Sequence, residues 1–139
     1  RLQLEEISDL QWPAKIQIMK QYIFRQSGPA IFGAEVINGK LTPNVELINM
    51  EGKAVGRVKT IEDKGTKLEE LTKGKEAAVA VTKLTIGRGA DGGDFLITNM
   101  SESAFRKLKD KKSLLSNSEV QVLKELAEIK RKENDLWGI

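Results

Sequence analysis

The sequence predicts a small antiparallel β domain followed by two α-helices. From Ala14 to about Thr98, apolar residues recur with period two, as in Ile16 and Ile18 or Val45 and Leu47. Turn-forming residues punctuate that region every several positions, giving six or seven short strands. From Asn99 onward the period becomes helical, in two stretches. A barrel and a sandwich both satisfy the strand pattern.

Composition narrows the class. At 139 residues the chain is one domain by size, large enough for a real core. It has no cysteine, which excludes disulfides and thiolate chemistry, and no histidine, which removes the commonest general base and zinc ligand. No apolar run approaches the ~18 residues of a membrane span, and no signal peptide opens the chain. A cytoplasmic location without a membrane partner is therefore expected. The start, Arg1-Leu2-Gln3 without methionine, suggests a piece of something longer. The net charge of +3 permits nucleic-acid contact without demanding it, and any single lysine reads first as solvated surface.

Leu2, Leu4, Ile7 and Leu10 have helical spacing, and Pro13 stops that helix before it. Residues 1–12 are thus expected to end a connecting helix, 13–98 to form the β domain, and 99–139 to form a helical extension. The β domain is organised around Ile23 to Gly39. Tyr22-Ile23-Phe24 and Ala30-Ile31-Phe32 flank a turn at Ser27-Gly28-Pro29, and Asn38-Gly39 reads as a second reversal. Gly33, inside a strand, predicts a bulge or a close approach to the backbone. Further strands follow at Val45–Leu47, then from Val55 to Ile61 after a Met50–Lys53 turn, at Ala77–Val81 and at Phe95–Ile97.

Helix starts are marked by chemistry. Ser101 caps the first, with Met100 and Phe105 as a hydrophobic staple. Ser116 and Glu119 form a capping box for the second, with Leu115 and Val120 as its staple, and that helix runs to about Lys132 or Glu133. Its apolar positions cover roughly half the wheel, more than a helix on one neighbour needs, which predicts spare apolar surface.

Catalytic motifs are weak. Gly87-Arg88-Gly89-Ala90-Asp91-Gly92 matches the dinucleotide pattern in letters, but the strand Phe95-Leu96-Ile97 follows it where a helix must begin, so it reads as a loop. Gly74-Lys75 lacks the upstream glycine and the following hydroxyl of a phosphate loop. Glu62-Asp63 and Glu69-Glu70 lie in polar, turn-like stretches and read as surface. The sequon Asn99-Met100-Ser101 is expected to be idle without an export signal. The chain is expected not to be an enzyme.

The residues Arg25-Gln26-Ser27, Pro29-Ala30-Ile31, Gly33, Glu35-Val36 and Gly39 resemble the start of the last barrel of the translation initiation factor 5B family. Bacterial initiation factor 2 is its counterpart. Pro13-Ala14-Lys15-Ile16, Val55-Gly56-Arg57-Val58, Asp63-Lys64-Gly65, Ala127 to Lys132 and Trp137-Gly138-Ile139 extend the match over most of the chain. The helical tail resembles the archaeal and eukaryotic branch. The resemblance implies an antiparallel barrel like domain two of elongation factor Tu, carried by a connecting helix and followed by two helices.

It also implies a non-catalytic role in ribosomal subunit joining. The barrel would hold the aminoacyl acceptor end of initiator methionyl-tRNA through Arg25, Phe32, Gly33, Ala34, Lys64, Glu76 and Ala77. The helices would hold the tail of initiation factor 1A through Val120, Leu123, Lys124, Ala127, Lys130, Arg131 and Trp137, an apolar groove with basic edges. The ribosome is the third partner. No cofactor is expected in this chain, since GTP and Mg would belong to a domain of the parent protein that this chain lacks. The alternatives are a structural barrel of another translational GTPase, or an accessory domain of an enzyme.

Overall fold

Strand alternation closes the β region on itself. The computed structural model describes residues 12–88, 90–111, 113 and 115–137, so the expected connecting helix lies outside the described residues. The strands are β1 (Ala14–Arg25), β2 (Ala30–Leu41), β3 (Glu46–Asn49), β4 (Ala54–Asp63), β5 (Thr66–Leu68), β6 (Leu71–Thr72), β7 (Glu76–Thr82) and β8 (Phe95–Thr98). Helices α1 (Glu102–Asp110) and α2 (Asn117–Arg131) follow. Neighbours run β1-β8-β3-β4-β7-β2, and β2 pairs back onto β1, so six antiparallel strands form a closed barrel. Closure leaves no free edge in that ring. The strands β5 and β6 extend β4 and β2 outside it. They were not legible as strands because each is too short to display a period.

Two cores divide the apolar residues. Ile16, Ile18, Phe32, Ala34, Val36, Leu47, Val58, Ile61, Val79, Val81 and Leu96 fill the barrel. On β3 and β8 the next residue along, Ile48 or Ile97, points the other way and packs under the helices with Phe105, Leu108, Val122, Leu126 and Ile129. This explains why Leu96-Ile97 is apolar without alternation: both faces of β8 are covered. It also accounts for the wide arc of α2. That helix packs on β1, β2, β8 and α1 together, so Val122, Leu123, Leu126, Ala127 and Ile129 are all buried and most of the expected spare surface is used.

The caps form as their chemistry requires. Ser101 Oγ accepts from Ala104 N, and Ser116 and Glu119 make the reciprocal box, at 3.2 Å from Glu119 N and 3.0 Å from Ser116 N. Asn38-Gly39 is a different case. It does not reverse the chain but lies inside β2, paired with Lys15 and Ala14 next to the register shift between Lys15 and Ile16. Gly39 has φ +83°, its N–H donates to Ser118 Oγ at 3.0 Å, and an added Cβ would stand 2.1 Å from the Pro13 carbonyl oxygen. The glycine serves a tight crossing between strands and α2. The glycine-rich segment before Phe95 is a loop between β7 and β8, and Ile86 N–H ties it to Gln26 O at 2.8 Å.

Candidate functional site

The site begins with a bulge. In β1, Ile18 pairs with Ala34 and Ile23 with Phe32, so Met19 to Tyr22 all face Gly33 alone. Tyr22 therefore folds over the glycine, and a Cβ added to Gly33 would lie 2.9 Å from Tyr22 Cβ and 3.6 Å from Met19 Sδ. The bulge lies on the partner strand, and the group approaching the Gly33 backbone is the protein's own tyrosine. Gly33 is buried, which corrects the expectation of open backbone waiting for an ester.

Beside Tyr22 is a depression of about 470 Å³, lined by Met19, Tyr22, Phe24, Gly33, Glu62, Asp63, Lys64, Glu76, Ala77 and Ala78. Its floor is set by strand register, which puts the small residues Gly33 and Ala78 in one row beside Glu62. Tyr22 and Phe24 rise from it, 48% and 64% exposed, with ring centroids 6.4 Å apart. Ile23 between them packs on the barrel core. One rim is the β4–β5 hairpin, whose two-residue loop Lys64-Gly65 has φ +52° and +82°. That rim and Glu76 set three carboxylates and one ammonium around the depression.

Of the barrel residues expected from the sequence, Gly33, Lys64, Glu76 and Ala77 meet here. Phe32 and Ala34 do not. Both are 0% exposed inside the barrel, because they share strand parity with Val36 and point inward, so neither can present a face to a ligand. Arg25 is exposed but stands at the β1–β2 hairpin end, where its Nε donates to Ser27 O at 2.8 Å. Sequence reasoning missed Tyr22 and Phe24 as surface groups. The signal was present: two aromatics two residues apart share one strand face, and Ile23 takes the other.

A second depression, about 320 Å³, lies between α1 and α2 and is lined by Phe105, Lys109, Val120, Leu123, Lys124, Ala127, Glu128 and Arg131. It gathers five of the residues expected for partner binding: Val120, Leu123, Lys124, Ala127 and Arg131. Leu123 and Ala127 are each 4% exposed and form its floor. Lys130 and Trp137 lie elsewhere, in a polar cleft with Glu46, Arg57 and Asn99. One residue along a helix is a turn of ~100°, which carries Lys130 off the Arg131 face. Trp137 does not line the groove, but packs against the outer side of the barrel in the cleft with Glu46 of β3 and Arg57 of β4. Its ring packs 4.7 Å from that of Phe105, and its carbonyl accepts from Arg131 Nε at 2.8 Å.

Residues 12–97 match the family model described as elongation factor Tu domain 4, and the chain belongs to that family. Within it, the chain corresponds to domain IV of the IF-2/aIF5B translation initiation factors. It is 38% identical over 136 residues to a probable translation initiation factor IF-2 of Methanopyrus kandleri, covering 97% of this chain and 23% of the relative. The corresponding Aeropyrum pernix protein is 39% identical over 134 residues, covering 95% of this chain and 22% of its own. The crystal structure of GDP-bound aIF5B from Aeropyrum pernix superposes with a TM-score of 0.93 at 37% identity, over 99% of this chain and 23% of that one. The chain thus spans less than a quarter of these relatives. Among the described residues, no helix is long and apolar enough to cross a membrane.

Proposed function

We propose that this chain is a non-catalytic binding domain in translation initiation, with two separate sites. The barrel depression takes the aminoacyl acceptor end of initiator methionyl-tRNA. The α1–α2 groove takes the acidic, aliphatic tail of initiation factor 1A, and both serve joining of the ribosomal subunits. GTP hydrolysis with Mg belongs, in this reading, to another part of the parent protein.

One observation carries the tRNA reading. The fold brings Gly33, Lys64, Glu76 and Ala77, drawn from two strands and a hairpin turn, to one depression under two exposed aromatics. Exposed aromatic rings beside small residues suit an unstacked nucleotide and an apolar side chain. The groove is supported by its apolar floor and by Lys109, Lys124 and Arg131 around it, which complement an acidic peptide with aliphatic anchors.

The test is a pair of titrations. Methionyl-tRNA should bind the chain more tightly than deacylated tRNA, and Phe24→Ala should abolish the difference. In NMR shift mapping, a factor 1A tail peptide should perturb Val120, Lys124 and Ala127 and leave the barrel depression alone. Equal affinity for both tRNA forms would remove the first assignment, and shifts confined to other surfaces would remove the second.

A further inference from the structure

We infer that the outer face of the barrel, where β3, β4 and β7 approach the end of α2, is a docking surface for the phosphate backbone of double-helical RNA. It is a third surface, apart from the barrel depression and the α1–α2 groove, and it does not depend on what either of those binds. Register puts Glu46, Arg57 and Thr82 in one row across the three strands. Two depressions, of about 420 and 400 Å³, open on either side of the Glu46–Arg57 pair. Lys130 and Trp137 line the first and Lys83 the second, while Lys59 is exposed in the β4 bulge between Val58 and Thr60.

Charge and backbone together point to an anion. Arg57, Lys59 and Lys83 are exposed, Lys130 is half-buried, and among the described residues no ion pair engages any of the four. Two carboxylates share the cleft and each is already held. Glu46 accepts from Asn99 Nδ2 at 2.6 Å, and Glu102 pairs with Arg106 at 2.9 Å. Cations remain in excess there, although the whole chain carries only +3. Arg57 is oriented rather than loose: its Nη1 donates to Asn44 O at 2.6 Å, which leaves its other N–H groups as donors. Lys83 has φ +66°, a left-handed backbone that glycine would adopt without strain. A lysine there is a loss to stability, and it follows Thr82, the cross-strand partner of Arg57.

The lining decides between anionic partners. Most of it is polar or charged, so an acidic peptide would find charge but not the aliphatic anchorage that Leu123 and Ala127 give the helical groove. No exposed aromatic ring lines it either, since Trp137 is half-buried against Phe105, so unstacked bases have no platform. Cations spread over an open face suit phosphates of a duplex, which are met by charge and shape without a pocket for a base.

The probe is a short blunt-ended RNA duplex, which has no unpaired acceptor end, titrated into the whole chain at low salt and followed by NMR. It should shift the amides of Arg57, Lys59, Thr82 and Lys83 and leave those of Tyr22 and Phe24 unmoved. Affinity should fall with salt at a log–log slope of roughly −3, and Arg57→Gln and Lys59→Gln should each weaken binding several-fold and reduce that slope by about one. Lys83→Gly is the sharper variant. It removes a cation and relieves the left-handed backbone, so binding should weaken several-fold while Tm stays level or rises. Circular dichroism checks that each variant folds. No shifts at low salt, shifts at Tyr22 and Phe24 instead, or variants that bind like the parent chain would each overturn the inference. A glutamate-rich peptide that occupied the cleft more tightly than the duplex would also overturn it and assign the surface to an acidic protein.

Discussion

Tyr22 lies over Gly33 so closely that a methyl group on the glycine would meet Tyr22 Cβ at 2.9 Å. The contact links the two strands that close the barrel, and it places an exposed ring at the mouth of the depression. Substitution at Gly33 therefore tests packing before it tests ligand binding.

Gly33→Ala should lower stability by about 1–3 kcal/mol in urea denaturation, the usual cost of an overpacked site. Tyr22→Ala keeps the offending Cβ and should not rescue it, whereas Tyr22→Gly should restore part of the loss. A double-mutant cycle that finds Gly33 and Tyr22 additive would mean that β1 does not bulge over the glycine.

The left-handed glycines should separate into two classes. At Gly39 a Cβ would collide with the Pro13 carbonyl, while at Gly65 nothing lies within 4 Å. Gly65→Ala should cost only the left-handed backbone term, ~1–2 kcal/mol. Gly39→Ala should add a steric term and cost about 2–5 kcal/mol. Thermal denaturation of the pair reads this directly. Equal losses would contradict the crossing at Pro13.

Ser116→Ala removes the acceptor for Glu119 N–H and should cost ~1 kcal/mol. Hydrogen exchange should quicken over the first turn of α2 and leave the barrel strands protected. Unchanged exchange there would mean that the box contributes nothing.

In the helical groove, Lys124→Glu should weaken binding of an acidic tail peptide several-fold, and added salt should shrink that effect because the charge is at the rim. Lys130→Glu, off the groove, should leave binding intact. Leu123 is 4% exposed, so Leu123→Asp should destabilise the domain by several kcal/mol rather than merely repel the peptide. Titration calorimetry and denaturation together separate these outcomes, and a strong effect of Lys130→Glu alone would relocate the site to the Trp137 cleft.

What the sequence determined by itself is local. Period two wrote the strands from Ala14 to Thr98, because one face of each strand meets a core. Ser101, Ser116 and Glu119 announced the helix starts, because capping is satisfied within one turn. The resemblance carried by Pro29-Ala30-Ile31, Gly33 and Asp63-Lys64-Gly65 led to the right family. What only the tertiary structure decided depends on partners distant in the chain. Asn38-Gly39 has the letters of a hairpin, yet Pro13 and Ser118 hold it inside a strand. Phe32 and Tyr22 are both aromatics beside the same turn, and strand parity with a bulge buries one and exposes the other. Whether an apolar face of α2 is surface or core depended on whether α1 and the outer side of β8 were both there to meet it. Burial is a property of two surfaces in contact, and the sequence states only one of them at a time.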